Sequence, residues 1–226
     1  SPTGLPGDYY DDGVWLHDAA TANNYIDGNT ITGNTGAGVH VSHGSHDNVI
    51  TDNVIGSNTQ SGVLIAGANS NTVQLNSIGR LSSGEAITNA VSGVALQAGA
   101  SLNKILTNTI AHNGVYGVHL TDTNTRYNAV RANTIVSNTV DGLRLEDGPQ
   151  FNTIGSPIGG PRSQGNLVSG NGDKGFWTRI GAAWHHEDGV GLTLQLDLVP
   201  VKDGRIVLRV PKDKPETETA DEGAGA

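Results

Sequence analysis

The sequence predicts an all-β chain, a parallel β-solenoid of about six coils. Three observations predict it: a Gly-led apolar motif that recurs every 24 to 33 residues, asparagines spaced five apart between its copies, and a composition poor in aromatics and rich in glycine. The motif reads GVWLH from 13, GVHVS from 38, GVLIA from 62, GVALQ from 93, GVHLT from 117 and GLRLE from 142. Successive starts lie 25, 24, 31, 24 and 25 residues apart, and a seventh, GFWTR, follows 33 residues later at 175.

Within each Gly-Val-x-Leu segment apolar residues alternate, so Val and Leu face inward and the residue between them faces outward. An Asn-x-(Ile/Val) pattern follows at Asn24, Asn48, Asn71, Asn103, Asn128 and Asn152, and returns five residues later at Asn29, Asn53, Asn76, Asn108 and Asn133. A third asparagine often follows after five more, at Asn34, Asn58, Asn113 and Asn138. Each segment is a short strand between Gly, Asn and Thr corners. One repeat cannot bury its own apolar face or pair its own backbone, so neighbouring coils must stack, with equivalent asparagines bonding in ladders along the stack. At about 4.8 Å per coil, six coils stand roughly 29 Å tall.

Segments such as NNYIDGNTITGN, HDNVITDNVIGSN and RYNAVRANTIVSN, and FNTIGSPIGG followed by GNLVSGN, resemble the right-handed parallel β-helix repeat proteins of the pectate-lyase-like superfamily. The resemblance covers about 13–174 and implies a right-handed parallel β-helix. It implies no single activity, because that fold carries lyases, hydrolases, epimerases, adhesins and phage fibres.

The expected organisation is therefore an N-terminal leader or cap over 1–12, the β-helix over 13–174, an antiparallel β meander over 175–211 and a disordered acidic tail over 212–226. Longer apolar runs joined by Asp-Gly turns predict the meander, a candidate C-terminal cap. It resembles a family of short uncharacterised bacterial proteins carrying WTRIGAAW and GRIVLR. Excess residues near 80–90 and 156–165 are expected to emerge as loops on one edge of the solenoid.

Charge narrows the partners. The formal net charge is −9, and residues 1–173 hold 6 basic against 13 acidic side chains. Nucleic acid is excluded as the expected partner, since phosphate binding needs clustered Lys and Arg. No apolar run is long enough to span a membrane. The chain contains no Cys and no Met, so there is neither a disulfide framework nor thiolate chemistry. A first residue Ser1 without any Met predicts a processed, excised or engineered chain, expected outside the cell or on its surface.

In register, the outward residues of the Gly-led strands form two polar patches. One holds Trp15, His17, Asp18, His40 and His43; the other holds His119, Asp122, Arg144, Glu146 and Asp147. Leu64, Ala66, Ala95 and Ala98 lie between them. Trp15, His40 and Glu146 are candidate glycan contacts, because an exposed aromatic on a polar sheet suits a pyranose face. His119, Asp122 and Arg144 are candidate catalytic residues, with His119 as general base and Arg144 pairing a uronate carboxylate. No cofactor is expected, apart from Ca²⁺ as an alternative on the leader carboxylates Asp8, Asp11 and Asp12. The three histidines His40, His43 and His46 do not form one constellation by spacing.

The reading is a non-catalytic extracellular module, structural or glycan-contacting. The alternatives are a polysaccharide lyase, hydrolase or epimerase, and an engineered or self-assembling scaffold. The expected partners are a polysaccharide and, through end-to-end or edge association, copies of the chain itself.

Overall fold

The computed structural model describes residues 11–156 and 162–172, together with the backbone of 181–185 and 192–196. The chain divides into two compact units, Ser1–Phe176 and Trp177–Ala226. Asp8, the rest of the meander expected over 175–211 and the 212–226 tail lie outside the described residues. In the second unit, β19 (Gly181–His185) and β20 (Leu192–Leu196) pair antiparallel.

The first unit is a parallel β-solenoid of six coils, each contributing one strand to each of three sheets. The first sheet stacks β1 (Val14–Leu16), β4 (Val39–Ser42), β7 (Val63–Ala66), β10 (Val94–Gln97), β13 (Val118–Thr121) and β16 (Leu143–Glu146). The second stacks β2 (Tyr25–Asp27), β5 (Val49–Thr51), β8 (Thr72–Gln74), β11 (Lys104–Leu106), β14 (Ala129–Arg131) and β17 (Thr153–Ile154). The third stacks β3 (Thr30–Thr32), β6 (Val54–Gly56), β9 (Ser77–Ile78), β12 (Thr109–Ala111), β15 (Thr134–Val136) and β18 (Leu167–Ser169). Every pairing between coils is parallel and in the repeat register, as in Val39↔Val63 and Val94↔Val118.

The period-two pattern places one aliphatic column per sheet in the interior. Val41, Ile65, Leu96 and Leu120 of the first sheet, Ile50, Val73, Ile105 and Val130 of the second, and Ile55, Ile78, Ile110 and Ile135 of the third are fully buried. The leading glycine of each coil is fixed by close approach. A Cβ at Gly117 would stand 2.4 Å from both the Gly142 carbonyl oxygen and Ile135 Cγ2, so no larger residue fits.

Three asparagine ladders run the height of the stack. The amide oxygen of one asparagine accepts from both the backbone N–H and the side-chain amide of its counterpart one coil before. Asn108 Oδ1 accepts from Asn76 N and Nδ2, each at 3.0 Å, while Asn108 N and Nδ2 donate to Asn133 Oδ1 at 2.9 and 3.0 Å. Its Nδ2 also donates to the Val73 carbonyl at 2.9 Å. The ladders extend beyond the spacing rule to Asn89, Asn166 and Asn171, which close the gaps left by the two longer coils. These bonds satisfy polar groups that would otherwise be stranded inside the corners.

The excess near 80–90 folds as a small hairpin, with an Arg80↔Ala86 antiparallel bridge. It lies back on the third sheet, where Ile87 occupies the space above Gly56. In the other long coil, Arg162–Gln164 form a 3-10 turn and the Gln164 carbonyl accepts from Ala132 N at 3.0 Å.

Candidate functional site

The outward side of the first sheet carries a concave groove of about 460 Å³. Its floor is the run of apolar residues between the two patches, Leu64 with the small Ala66, Ala95 and Ala98, and histidines stand at both ends. Gln60, Ser61, Val91 and Ser92 flank it. The gap in polarity therefore makes the depression, because short side chains on two adjacent coils leave room between longer ones. Ser92 is buried, and its Oγ has no hydrogen-bond partner.

At one end the rings pack together. Trp15 is 46% exposed and stacks on His40, with centroids 5.9 Å apart and planes 14° apart, while it meets His17 edge-on at 4.5 Å. His17 and His43 lie 4.3 Å apart. Trp15 Nε1 donates to Ser42 Oγ at 2.9 Å, which pins the indole across two coils. His40, an outward position, is nonetheless buried, because Asp12 folds over it: Asp12 Oδ2 is 2.9 Å from His40 Nδ1. The other carboxylate oxygen accepts from Ala37 N at 2.6 Å. Asp11 Oδ2 accepts from Thr35 Oγ1 at 3.0 Å. The two leader carboxylates within the described residues thus pair with protein groups one coil on. Spacing gave no sign of the Asp12–His40 contact, since Asp12 precedes the first repeat.

At the other end a charge network closes on itself. His119 Nε2 lies 2.9 Å from Glu146 Oε1, and Arg144 Nε donates to Glu146 Oε2 at 3.0 Å. Arg144 Nη1 reaches Asp141 Oδ2 at 3.1 Å, and its guanidinium sits 5.8 Å above the Tyr116 ring. The hydrogen bond from Arg144 holds the Glu146 carboxyl below its usual range, and the same bond, followed by that to Asp141, raises the guanidinium. Among the candidate catalytic residues, His119 and Arg144 are cross-coil partners joined through Glu146. Asp122 takes part in a different contact, accepting from Ala98 N at 2.6 Å from a turn with φ of 78°. His46 is separate from both patches and pairs with Asp47.

Residues 8–171 match the family described as periplasmic copper-binding protein (NosD). The chain belongs to the NosD family. No curated protein sequence matches it. Among solved structures, this NosD-family chain is similar to a doubly substituted form of the periplasmic alginate epimerase AlgG, at 19% identity and a TM-score of 0.54, over 64% of this chain and 33% of that one. It is also similar to AlgG without those substitutions, at 17% identity and a TM-score of 0.45, over 60% and 36%. The chain spans about a third of the length of these structures. The likeness is one of fold, the parallel β-helix that the resemblance implied. The family's description as periplasmic is consistent with the extracellular or cell-surface location expected from the sequence.

The chain has no Cys or Met, the soft ligands that favour Cu(I). Among the described residues no group of three or more His, Cys, Asp or Glu side chains is arranged to hold a metal ion. His40 Nδ1 is taken by Asp12, and His17 Nδ1 lies 2.7 Å from Asp18 Oδ1. The described residues therefore do not fit a copper centre built from one copy of the chain.

Proposed function

We propose that the chain is a non-catalytic, glycan-contacting β-helix module of the bacterial cell envelope. The observation that carries this reading is the groove on the first sheet. It offers a floor of apolar residues and a rim that includes neutral amides and hydroxyls, and beside it the half-exposed Trp15 indole is pinned on two of its lining residues, Ser42 and His40. That is the surface a pyranose ring uses, an apolar face against an aromatic and hydroxyls against polar side chains. The charges at its ends are already paired, Asp12 with His40 and Glu146 with His119 and Arg144, so they hold structure more readily than they bind a uronate. The periplasmic description of the family and the epimerase AlgG's action on alginate support an envelope carbohydrate context.

One observation favours the second reading, a polysaccharide-active enzyme. His119 and Glu146 form a His–carboxylate pair beside the groove, the arrangement a general base needs. A panel of immobilised polysaccharides, read for retention and for new reducing or unsaturated ends, separates the two. The module reading expects retention on at least one glycan, weakened by Trp15→Ala, with no new ends. New ends that disappear with His119→Ala would establish the enzyme instead, and retention unaffected by Trp15→Ala would remove the groove from the account.

A further inference from the structure

The outward face of the second sheet is divided by charge. Its N-terminal coils carry Asp27, Asp47 and Asp52, and its C-terminal coils carry Lys104, Arg126 and Arg131. Among the described residues no Lys or Arg lies within ion-pair distance of the three acids, and no carboxylate lies within that distance of the three bases. Arg131 Nε is buried with no hydrogen-bond partner. In a chain with net charge −9, three unpaired cations on one half of one face form a local exception.

The corner beside this face shows a second asymmetry. The residue before each asparagine of the first ladder adopts a left-handed backbone, with φ between 53° and 59°. In the first three coils it is Asn23, Asp47 and Ser70; in the last three it is Leu102, Tyr127 and Phe151. The conformation itself recurs before the asparagines of the other ladders, so what sets the last three coils apart is exposed apolar bulk at this corner. Tyr127 and Phe151 stack at 5.4 Å, Arg126 lies 5.7 Å above Tyr127, and Phe151 is 68% exposed. At the opposite end of the same face Tyr25 is 75% exposed.

We infer that this face is self-complementary and binds a second copy of the chain, the two solenoids antiparallel about a two-fold axis between the third and fourth coils. Such an axis, parallel to the strands, places β5 opposite the partner's β14 and β2 opposite its β17. Asp47, which bonds His46 at 2.8 Å, and Asp52 flank β5 five residues apart. Arg126 and Arg131, also five apart, lie one residue earlier in the register of the fifth coil, in line with His46 and Thr51 and so beside the two acids. Each copy thus offers two acids to two bases and receives the same pairing in return, as an isologous interface requires. Tyr25 and Phe151, at opposite ends of one copy, come to the same end of the pair. The fourth-coil base faces neutral Thr72 of the third coil, and Asp27 faces Gly155, so no like charges meet. The face is three residues wide, which makes the interface small, and the dimer is concentration-dependent and weakened by salt.

Sedimentation velocity over a concentration series, at low and high salt, tests this with two charge-reversed proteins, Arg126→Glu with Arg131→Glu and Asp47→Lys with Asp52→Lys. Asp47, Asp52 and Arg126 are exposed and Arg131 is half-buried, and circular dichroism checks that both proteins remain folded. The expected result is a wild-type dimer that salt dissociates, about tenfold or greater weakening in each reversed protein, and recovery of a dimer when the two are mixed in equal amounts. A wild-type chain that stays monomeric at every concentration overturns the inference. So does a dimer that survives either reversal, or a mixture that fails to associate.

Discussion

The fourth coil and the sixth are built from the same repeat, yet they sit differently in the stack. In the fourth, Val94, Leu96, Ile105 and Ile110 are fully buried, each inner side chain having a counterpart above and below. In the sixth, the equivalent positions Leu145, Ile154 and Val168 are 43%, 40% and 39% exposed. The residue types hardly change; what changes is the number of neighbouring coils among the described residues. Stability in a solenoid is close to a sum of nearest-neighbour terms, so one substitution should cost very different amounts at the two places.

The largest expected loss is at the ladder. Asn108→Ala strands the backbone N–H of Asn76 and the Val73 carbonyl inside a buried corner, while Asn76 Nδ2 keeps the Ile50 and Gln74 carbonyls. At about 1–3 kcal/mol per unsatisfied group, the total should be about 4 kcal/mol, read from urea unfolding. Asn24→Ala, at the exposed first coil, should cost about 1 kcal/mol by the same measure. Next come the aliphatic columns: Ile105→Ala should lose about 3 kcal/mol, and Ile154→Ala about 1 kcal/mol, because a half-exposed site leaves little cavity. Equal losses for the two isoleucines would break the comparison and show that the sixth coil is covered.

How much of this was legible in the sequence follows from what the period encodes. The strands, the inward Val, Ile and Leu and most ladder asparagines repeat, so the period alone locates them. Asn89 and Asn171 were hidden because the long coils shift them out of spacing, although they close the same ladder. The site was legible only in part. Register placed Trp15 beside His40 and His119 beside Arg144, but Asp12, outside the repeat, buries His40 in a way no spacing reveals. Glu146 was visible as a polar outward residue; that it, and not Asp122, is the partner of His119 depends on side-chain reach across the coil. The groove itself is a property of missing bulk at Ala66, Ala95 and Ala98, which sequence reading registers merely as a gap between patches.

The smallest expected effect concerns how the sixth coil is held where packing is thin. Arg144 and Glu146 lie on β16, and Glu146 ties that strand to His119 of the fifth coil. The Glu146 carboxyl is held below its usual value, first by the hydrogen bond from Arg144, so its folded pKa is lower than its unfolded one. A depressed carboxyl contributes stability above the unfolded pKa, about 4.3, and loses it as pH falls through the folded value. Acidification from neutral pH should therefore loosen the last coil first, with faster amide hydrogen exchange in β16 and little change in β10. Arg144→Gln should move the Glu146 titration upward, followed by carboxyl NMR, and flatten that pH dependence. The guanidinium and carboxylate are both solvent-accessible, so the change should be modest and shrink further in salt. An acid response of equal size in β10 and β16 would mean that the network does not hold the end of the stack, and that the sixth coil relies on apolar packing as the fourth does.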